Sequence, residues 1–372
     1  MNKSIYILFY LLLFISCKKQ QETKHEEINT SKNSKIEYAK GFDISYQEGY
    51  KVITLKNAWP GTKKVFKYAL IEEATILDFP EQYDAIVTIP IKNIVVTSTT
   101  HIPSLEMLAV DQTLIGFPNL DYISSKKTRE RINKGLIKEL GKNEDINTES
   151  LIELSPDVVI GFAVDGNNKT FNTLKKTGIP VLYNGDWTET SPLGKAEWIK
   201  FFAAFYNKEG LANKLFSEIK TAYLNAKKLA LKAKKKPTVL SGAMYKDIWY
   251  LPQGKSWAAQ FIADANGKYL WSDSEGTGSH SLNLESVLEK GEHAQFWIGP
   301  SYYTTMKQLK EAHAVYKQFD AFKNNQVYSF THKVGDTGGL LYFELAPNRP
   351  DIVIKDIIKI LHPELLPNHN LY

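Results

Sequence analysis

The residues of this chain that could do chemistry are spread along the sequence and do not form a recognisable catalytic motif. The 372 residues contain no Gly-x-Ser-x-Gly turn, no glycine-rich phosphate loop before Lys-Ser/Thr and no His-Glu-x-x-His helix. The eight histidines never occur at metal-ligand spacing, so we expect no metal site. An alternative hypothesis is a hydrolytic or chelate-modifying enzyme, which would use four side chains in predicted loops: His101, Asp186, His280 and Asp336. Nothing joins them to a nucleophile and an oxyanion hole, so an enzyme is the weaker hypothesis.

Aromatic residues at predicted loops and strand ends favour a binding surface over a reaction centre. Such residues commonly line a cleft that holds a large, flat or chelated ligand. We expect roughly half of them to be core residues instead, and periodicity places Trp198 and Trp297 in the core. With polar side chains at the same strand ends, the predicted ligand-binding cleft comprises Trp59, Thr99, His101, Phe117, Trp187, Tyr245, Trp249, Trp257, His280, Tyr302 and Tyr342.

Two glutamates occupy matched positions in a stretch that occurs twice. Asn147-x-Glu149-Ser leads into a buried apolar run, and Asn283-x-Glu285-Ser does the same 136 residues later. Each copy begins with a helix-capping asparagine and continues as one or two helical turns before a strand. The separation is far longer than that of a solenoid repeat, so we interpret it as one half-molecule built twice. Matched carboxylates on two similar lobes suit a partner with two matched basic pockets.

The predicted secondary structure that positions these residues differs between the N-terminal segment and the rest of the chain. Strand-like runs between residues 36 and 91 predict a small antiparallel layer at the front of a first lobe. From residue 92, strands and helices alternate, which predicts a mostly parallel sheet with helices on both faces. The pattern restarts at Pro237, with loops expected at residues 267–281 and 336–339. Ligands of such sheets bind at the carboxyl ends of the strands.

Residues 192–236 carry the longest helical pattern and predict one long connecting helix, with a break near residues 206–210. The expected fold is therefore an α/β protein of two lobes, joined by a single long helix and preceded by an extra β-rich segment. The expected boundaries are 36–191 for the first lobe, 192–236 for the helix, 237–347 for the second lobe and 348–372 for a C-terminal helix and tail.

The N-terminus has the features of an export signal. Lys3 is followed by a short apolar run and by Cys17, the only cysteine, which predicts a lipoprotein signal over residues 1–16 and lipidation of Cys17. The polar residues 17–35 predict a disordered tether. Hydrophobic residues make up 43% of the chain, as in globular proteins, and the net charge of +5 is spread evenly. The sequence therefore favours an exported, acyl-anchored monomer and excludes a nucleic-acid-binding protein.

Several stretches together resemble the periplasmic substrate-binding proteins of iron-siderophore and cobalamin ABC importers. They are Asn93-Ile-Val-Val-Thr-Ser-Thr-Thr100, Asn147-x-Glu-Ser-Leu-x-x-Leu-x-Pro-Asp157, residues 191–199, Leu282-Asn-Leu-Glu285 and residues 349–363. The resemblance covers roughly residues 90–363. It implies two lobes of the class III type, a ligand held between them, and docking of Glu149 and Glu285 to a permease dimer with its ATPase. It also implies a membrane-anchored lipoprotein of the periplasm whose ligand is transported rather than used as a cofactor.

The ligand itself is not specified by this resemblance. A ferric siderophore is the leading hypothesis, and cobalamin, another corrinoid or haem is the alternative. Ferric catecholates carry several negative charges and favour clefts with arginine or lysine. The chain has three arginines, and Arg129 and Arg131 are expected on a solvent-facing helix. A neutral or hydroxamate-type chelate therefore also stays open.

Overall fold

The computed structural model describes residues 33–72, 82–166 and 168–372. The predicted signal, residues 1–16, and Cys17 lie outside these residues. The predicted tether was expected to continue to residue 35, but Ser34 is buried. Its hydroxyl donates to Asn213 Oδ1 at 2.9 Å, and its backbone N–H donates to the Tyr46 hydroxyl at 2.8 Å. Residues 33–35 therefore belong to the folded domain.

The β-rich segment forms one four-stranded sheet in front of the first lobe. Its strands are β1 (Phe42–Gln47), β2 (Tyr50–Leu55), β3 (Phe66–Glu72) and β4 (Ala85–Ile89). β2 pairs antiparallel with β1 and with β3, but β3 and β4 are parallel. The prediction of a wholly antiparallel layer was therefore wrong. Residues 73–84 separate β3 from β4, and a connection of about a dozen residues is long enough for a parallel crossover.

The first lobe is built around a five-stranded parallel sheet in the order β11-β10-β5-β6-β7. Helices cover this sheet, and a short antiparallel pair, β8 and β9, lies beside it. The elements in chain order are β5 (Ile94–Val96), α1 (His101–Met107), β6 (Leu114–Phe117), α2 (Lys126–Asn133), β7 (Lys138–Glu139), β8 (Gly141–Lys142), β9 (Asp145–Ile146), α3 (Thr148–Leu154), β10 (Val158–Gly161), α4 (Lys169–Lys176) and β11 (Val181–Tyr183).

The predicted connecting stretch forms three helices, α5 (Pro192–Glu197), α6 (Ile199–Ala204) and α7 (Glu209–Ala230), and α7 is the predicted long helix between the lobes. The chain turns before α7, where Asn207 has a φ of 53°, within the predicted break. The 22 residues of α7 span about 33 Å at 1.5 Å per residue. Its first half packs Phe216 into the core of the first lobe, and its second half packs Tyr223 into the core of the second.

The second lobe contains a four-stranded parallel sheet in the order β15-β12-β17-β18 and a three-stranded antiparallel sheet, β13-β14-β16. Gly242, with a φ of 77°, separates β12 from β13, and a Cβ there would lie 1.9 Å from the Tyr250 carbonyl oxygen. The elements are β12 (Thr238–Ser241), β13 (Ala243–Tyr245), β14 (Ile248–Pro252), α8 (Trp257–Asp264), β15 (Lys268–Tyr269), β16 (Ser279–Leu282), α9 (Leu284–Gly291), β17 (Phe296–Ile298), α10 (Met306–Ala312), α11 (Asp320–Lys323), β18 (Val327–Tyr328), α12 (Leu341–Leu345) and α13 (Pro350–Leu361).

The predicted fold class, mostly parallel sheets flanked by helices in two lobes, is confirmed. Trp198 lies in the first core and Trp297 in the second, as predicted. Residues 267–281 were expected to be a loop, but they contain β15 and the beginning of β16, because short strands without clear alternation leave a weak sequence signal. α12 was not predicted. Over the described ranges, no helix combines the length and apolar character needed to cross a membrane.

Candidate functional site

The carboxyl ends of the strands of the first lobe face the second lobe. Thr100, which follows β5, accepts a hydrogen bond at its carbonyl oxygen from Asn348 Nδ2 at 2.8 Å. Trp187, which follows β11, accepts one at its carbonyl oxygen from Lys195 Nζ at 3.2 Å. The same ammonium lies 5.2 Å from the ring centre of Trp257, at the start of α8 in the second lobe. The boundary between the lobes is therefore where ligands of such sheets are expected.

Three of the eleven predicted cleft residues are exposed aromatics at strand ends. Trp187 follows β11 in the first lobe and is 39% exposed. In the second lobe, Tyr245 ends β13 and is 68% exposed, and Tyr302 follows β17 and is 72% exposed. Exposed aromatic rings lose contact with water when they stack on a ligand, so both lobes offer rings for binding.

Five further predicted residues are half-buried: Trp59, Thr99, Trp257, His280 and Tyr342. The Trp59 ring packs edge-on against Tyr183, the last residue of β11, at 5.4 Å. Tyr342 is the middle ring of a column, 6.3 Å from Trp257 and 4.0 Å from Phe330. Tyr342 also lines a cavity of about 350 Å³ inside the second lobe, together with Tyr303, Phe330, Leu345, Ile357 and Tyr372.

The other three predicted cleft residues are buried, and their assignment to the cleft is corrected. Trp249 is fully buried; its ring stacks on Trp297 at 5.4 Å and its N–H donates to the Ser241 carbonyl oxygen. Phe117 is buried in the core of the first lobe. His101 is fully buried against Phe202, with ring centres 5.1 Å apart. Strand alternation and helix packing turn all three side chains inwards, although their positions in the sequence are near strand ends.

A buried polar cluster lies behind the rim of the first lobe. Lys195 Nζ donates to the carbonyl oxygen of Asp186 at 3.0 Å, and Thr100 Oγ1 donates to Asp186 Oδ2 at 2.7 Å. Burial lowers the pKa of the Lys195 ammonium, although nearby Asp186 and Glu189 favour its charged form. This cluster holds the loop that carries Trp187 in place.

Of the four residues of the enzyme hypothesis, only His101 and Asp186 lie close together. His101 Nε2 lies 3.9 Å from Asp186 Oδ1, beyond hydrogen-bond distance, and burial lowers the pKa of this imidazole while Asp186 acts in the opposite direction. His280 is on β16, and Asp336 is exposed in a loop of the second lobe. Over residues 33–72, 82–166 and 168–372, no three His, Cys, Asp or Glu side chains are grouped for metal binding.

All three arginines are engaged within the chain. Arg129 donates to the Leu120 carbonyl oxygen at 2.7 Å. Arg131 donates to the carbonyl oxygens of Gln112 at 3.0 Å and of Leu114 at 3.1 Å. The expectation that both face solvent was wrong, because their guanidinium groups bind backbone carbonyl oxygens on either side of the body of β6. Arg349 forms a two-point pair with Asp351, with bonds of 2.8 and 2.9 Å.

The two predicted docking glutamates are exposed in the first turns of α3 and α9. Each helix is capped as the sequence predicts: Asn147 accepts the Ser150 N–H, and Asn283 accepts the Ser286 N–H, both at 2.9 Å. Neither carboxylate is needed to cap its helix. Glu149 and Glu285 are therefore free of the capping bonds and are presented on matching helices of the two lobes.

Sequence reasoning missed a second set of residues, outside α7, that joins the lobes. Residues 335–348, which we call the clasp, run along residues 100–125 of the first lobe. Gly335 and Gly339 approach so closely that a Cβ on either would lie within 2.7 Å of Ser124. Asn348 accepts from Ser104 Oγ at 2.7 Å, and the carboxylate of Glu344 accepts two backbone N–H groups. In the sequence, only the glycines of this segment, among them Gly335 and Gly339, are residue types that allow such a close approach.

Comparisons with known proteins agree with this geometry. The family model for periplasmic binding proteins matches residues 94–334. An uncharacterised lipoprotein of Methanocaldococcus jannaschii is 30% identical over 288 residues, which cover 75% of this chain and 67% of that protein. A possible iron-binding (periplasmic solute-binding) protein from Staphylococcus epidermidis has a TM-score of 0.58 at 18% identity, covering 73% of this chain and 99% of its own.

A second structure extends the range of ligands among similar folds. The periplasmic vitamin B12 binding protein of Vibrio cholerae superimposes with a TM-score of 0.52 at 14% identity, covering 75% of this chain and 99% of its own. At these identities the two structures support the fold alone.

Proposed function

This chain belongs to the periplasmic binding protein family, and from that premise we propose that it captures a ferric siderophore or related iron complex between its lobes. Membership confirms the predicted resemblance: the protein is a periplasmic solute-binding protein rather than an enzyme. Its service to an ABC transporter is part of our proposal. In our proposal, Cys17 carries the lipid anchor, the protein is a periplasmic monomer, and the cargo passes to a permease dimer with its ATPase.

The observation that carries the proposal is the set of exposed rings on both lobes. Trp187 offers a ring from the first lobe, and Tyr245 and Tyr302 offer rings from the second. Metal chelates and tetrapyrroles are large ligands with flat, partly apolar faces, which aromatic clefts suit. A possible iron-binding protein and a vitamin B12 binding protein share the fold, which supports this class of ligand.

The charge available near the boundary favours a chelate of low net charge. The three arginines are bound to backbone carbonyls or to Asp351. Lys195 is buried and donates to Asp186 and Trp187. Exposed Lys246, whose ammonium lies 5.6 Å from the centre of the Tyr245 ring, is one cation beside the proposed cleft. A single ammonium would leave most of the charge of a triply negative catecholate unmatched, and an unmatched charge in a closed cleft is costly. A hydroxamate-type chelate fits better, with cobalamin, another corrinoid or haem as the alternative.

Tryptophan fluorescence quenching tests the proposal directly. The protein is titrated with a ferric hydroxamate, a ferric catecholate, haem and cobalamin. We expect saturable quenching by one class and a several-fold smaller signal change in Trp187→Phe, because this exposed ring lies at the cleft. Trp198→Phe removes a ring buried in the core and serves as the matched control. Absence of saturable quenching by all four would contradict the proposed cargo class.

Docking to a permease is tested separately through the matched glutamates. We propose that Glu149 and Glu285 bind basic pockets on the permease, one for each lobe. The double substitution Glu149→Arg with Glu285→Arg is expected to abolish transport while leaving the dissociation constant of the chelate unchanged. Glu153→Arg with Glu289→Arg changes exposed glutamates of the same two helices and is the control for total charge. Loss of chelate affinity in the first pair, with the fold intact, would refute the docking assignment.

A further inference from the structure

We propose that the second lobe holds a separate binding site for a small, uncharged apolar molecule, closed by a short flap, residues 369–372. The site is the cavity of about 350 Å³ whose walls come from α10, α12, α13, β17 and β18. In the described part of the chain, every residue that lines it lies between positions 298 and 372, so the first lobe contributes none. The cavity is therefore distinct from the boundary between the lobes, where the cargo is proposed to bind.

The walls of the cavity are largely apolar. Leu309 of α10, Ala346 after α12 and Ile357 of α13 line it and are nearly fully buried, and Tyr303 and Tyr342 add aromatic rings. Because protein interiors are packed densely, the side chains around a space of this size lack contacts that a bound apolar molecule would supply. An apolar cavity of about 150 Å³ is enough to bind benzene, so this one has room for roughly two aromatic rings.

The two half-buried charged side chains that line the cavity are already paired. Arg349 binds Asp351 through two hydrogen bonds of 2.8 and 2.9 Å. The carboxylate of Asp356 lies 2.6 Å from His369 Nε2, and it accepts the Tyr372 backbone N–H at 3.1 Å. A charged ligand would have to displace one of these partners or remain unmatched among apolar side chains, which is costly. The cavity therefore favours a ligand without charge.

The flap closes the cavity on its solvent side. Leu371 and Tyr372 line the cavity and are at the same time exposed. Asp356 holds the flap at both ends through the two contacts described above, and the Lys333 ammonium lies 4.0 Å from the centre of the Tyr372 ring. The flap contains no helix or strand. Exposed segments held by a few polar contacts open at low free energy, so in our proposal the ligand enters where the flap moves aside.

A stack of rings stands between the cavity and the boundary of the lobes. Tyr342 and Phe330 both line the cavity, and their ring centres lie 4.0 Å apart. Trp257, on the other side of Tyr342 at 6.3 Å, does not line the cavity and lies beside Lys195 at the boundary. The cavity and the cargo site can therefore be occupied independently.

Two compounds with the same rings test the ligand class. 1-Naphthol is uncharged at neutral pH, whereas 1-naphthalenesulfonate carries a negative charge. Calorimetric titration of the protein is expected to show one molecule of 1-naphthol bound per chain. The sulfonate should bind at least about tenfold more weakly, because its charge would be unmatched. Equal affinity for the two compounds, or no binding of 1-naphthol, would overturn the proposal.

Filling the cavity locates the bound probe. Ile357→Phe and Ala346→Leu enlarge side chains on two separate elements of the wall, and each should lower the affinity for 1-naphthol by at least about tenfold through overpacking with the probe. Ala346→Leu adds less volume and serves if Ile357→Phe does not fold, which denaturant unfolding checks. Trp187→Phe, at the proposed cargo site, is the control and should not change the affinity. Loss of binding in Trp187→Phe, with binding retained in the filled variants, would overturn the assignment.

A substitution in the wall tests the flap. Asp356→Asn removes the charge that holds His369 and the Tyr372 N–H, so stopped-flow fluorescence should show several-fold faster association of 1-naphthol. Asp320→Asn is the matched control, since Asp320 pairs with exposed His293 at 2.8 Å in the same lobe; it should leave the association rate unchanged. An unchanged rate in Asp356→Asn would overturn the flap as the entrance.

Discussion

The two lobes are joined on one side by apolar packing and on the other by hydrogen bonds. On the first side, α7 places Phe216 in one core and Tyr223 in the other. On the second side, the clasp makes five hydrogen bonds to residues 100–125 through Thr337, Glu344 and Asn348. Apolar burial is non-directional and changes little with small rotations, whereas hydrogen bonds weaken steeply when their geometry changes.

This difference assigns the two sides different roles. The α7 side can act as a permanent axis, since a change in lobe angle leaves Phe216 and Tyr223 in their cores. On the clasp side, all five hydrogen bonds come from one short segment, so a change in lobe angle would disturb them together. A carrier needs both properties, because it must remain folded while it exchanges its cargo.

The largest effect is expected from the apolar side. Phe216→Ala removes a nearly fully buried ring from α7 and should reduce the free energy of unfolding by about 3–5 kcal/mol. Leu224→Ala, on an exposed position of the same helix, should cost less than about 1 kcal/mol. Denaturant unfolding measures both values. Similar losses for the two variants would show that α7 does not anchor the lobes through its buried face.

An intermediate effect is expected at the buried end of the clasp. Asn348→Ala leaves the Ser104 hydroxyl and the Thr100 carbonyl oxygen without their shared partner. Unsatisfied buried groups cost about 1–3 kcal/mol, and the loss should appear in the unfolding free energy together with faster exchange of the Ser124 and Ser125 amides. Asn370→Ala changes an exposed asparagine of the tail and should change neither quantity. A stability loss without faster exchange would mean that Asn348 supports one lobe only.

The smallest effect is expected at the exposed end of the clasp. Thr337→Val removes one hydrogen bond, to the Asp121 carbonyl oxygen, in a solvent-facing loop. Water can replace this partner, so the unfolding free energy should fall by no more than about 0.5 kcal/mol. Thr277→Val, at another exposed position of the second lobe, is the control. A loss as large as that of Asn348→Ala would show that the clasp is held mainly at its rim.

Local pattern in the sequence was enough to predict the two α/β lobes and the caps of α3 and α9. Asn147 and Asn283 bind the N–H groups three residues ahead, as their positions before an apolar run indicate. The break before α7 and the core positions of Trp198 and Trp297 followed from helical and strand periodicity in the same way. These features depend on neighbours within a few residues, which a single sequence displays directly.

Which aromatic side chains remain exposed was decided by tertiary packing, which the sequence does not display. Tyr245 and Trp249 are four residues apart on the β13–β14 hairpin, yet the first is 68% exposed and the second is fully buried. Which face of a short hairpin becomes the inner one depends on the layer that covers it. Here Trp297, Tyr316 and Phe319 surround Trp249, and these partners come from distant parts of the chain.

The clasp is the clearest case of a feature that only the tertiary structure determined. In the sequence, Glu344 is an ordinary glutamate in a segment without a clear helical pattern. Its function as an acceptor exists because two lobes bring it to Ser124 across 220 residues and exclude water from it. Local sequence encodes caps, strands and core stripes through short-range periodicity. Burial of a charge between lobes depends on the completed fold, and so does its pKa.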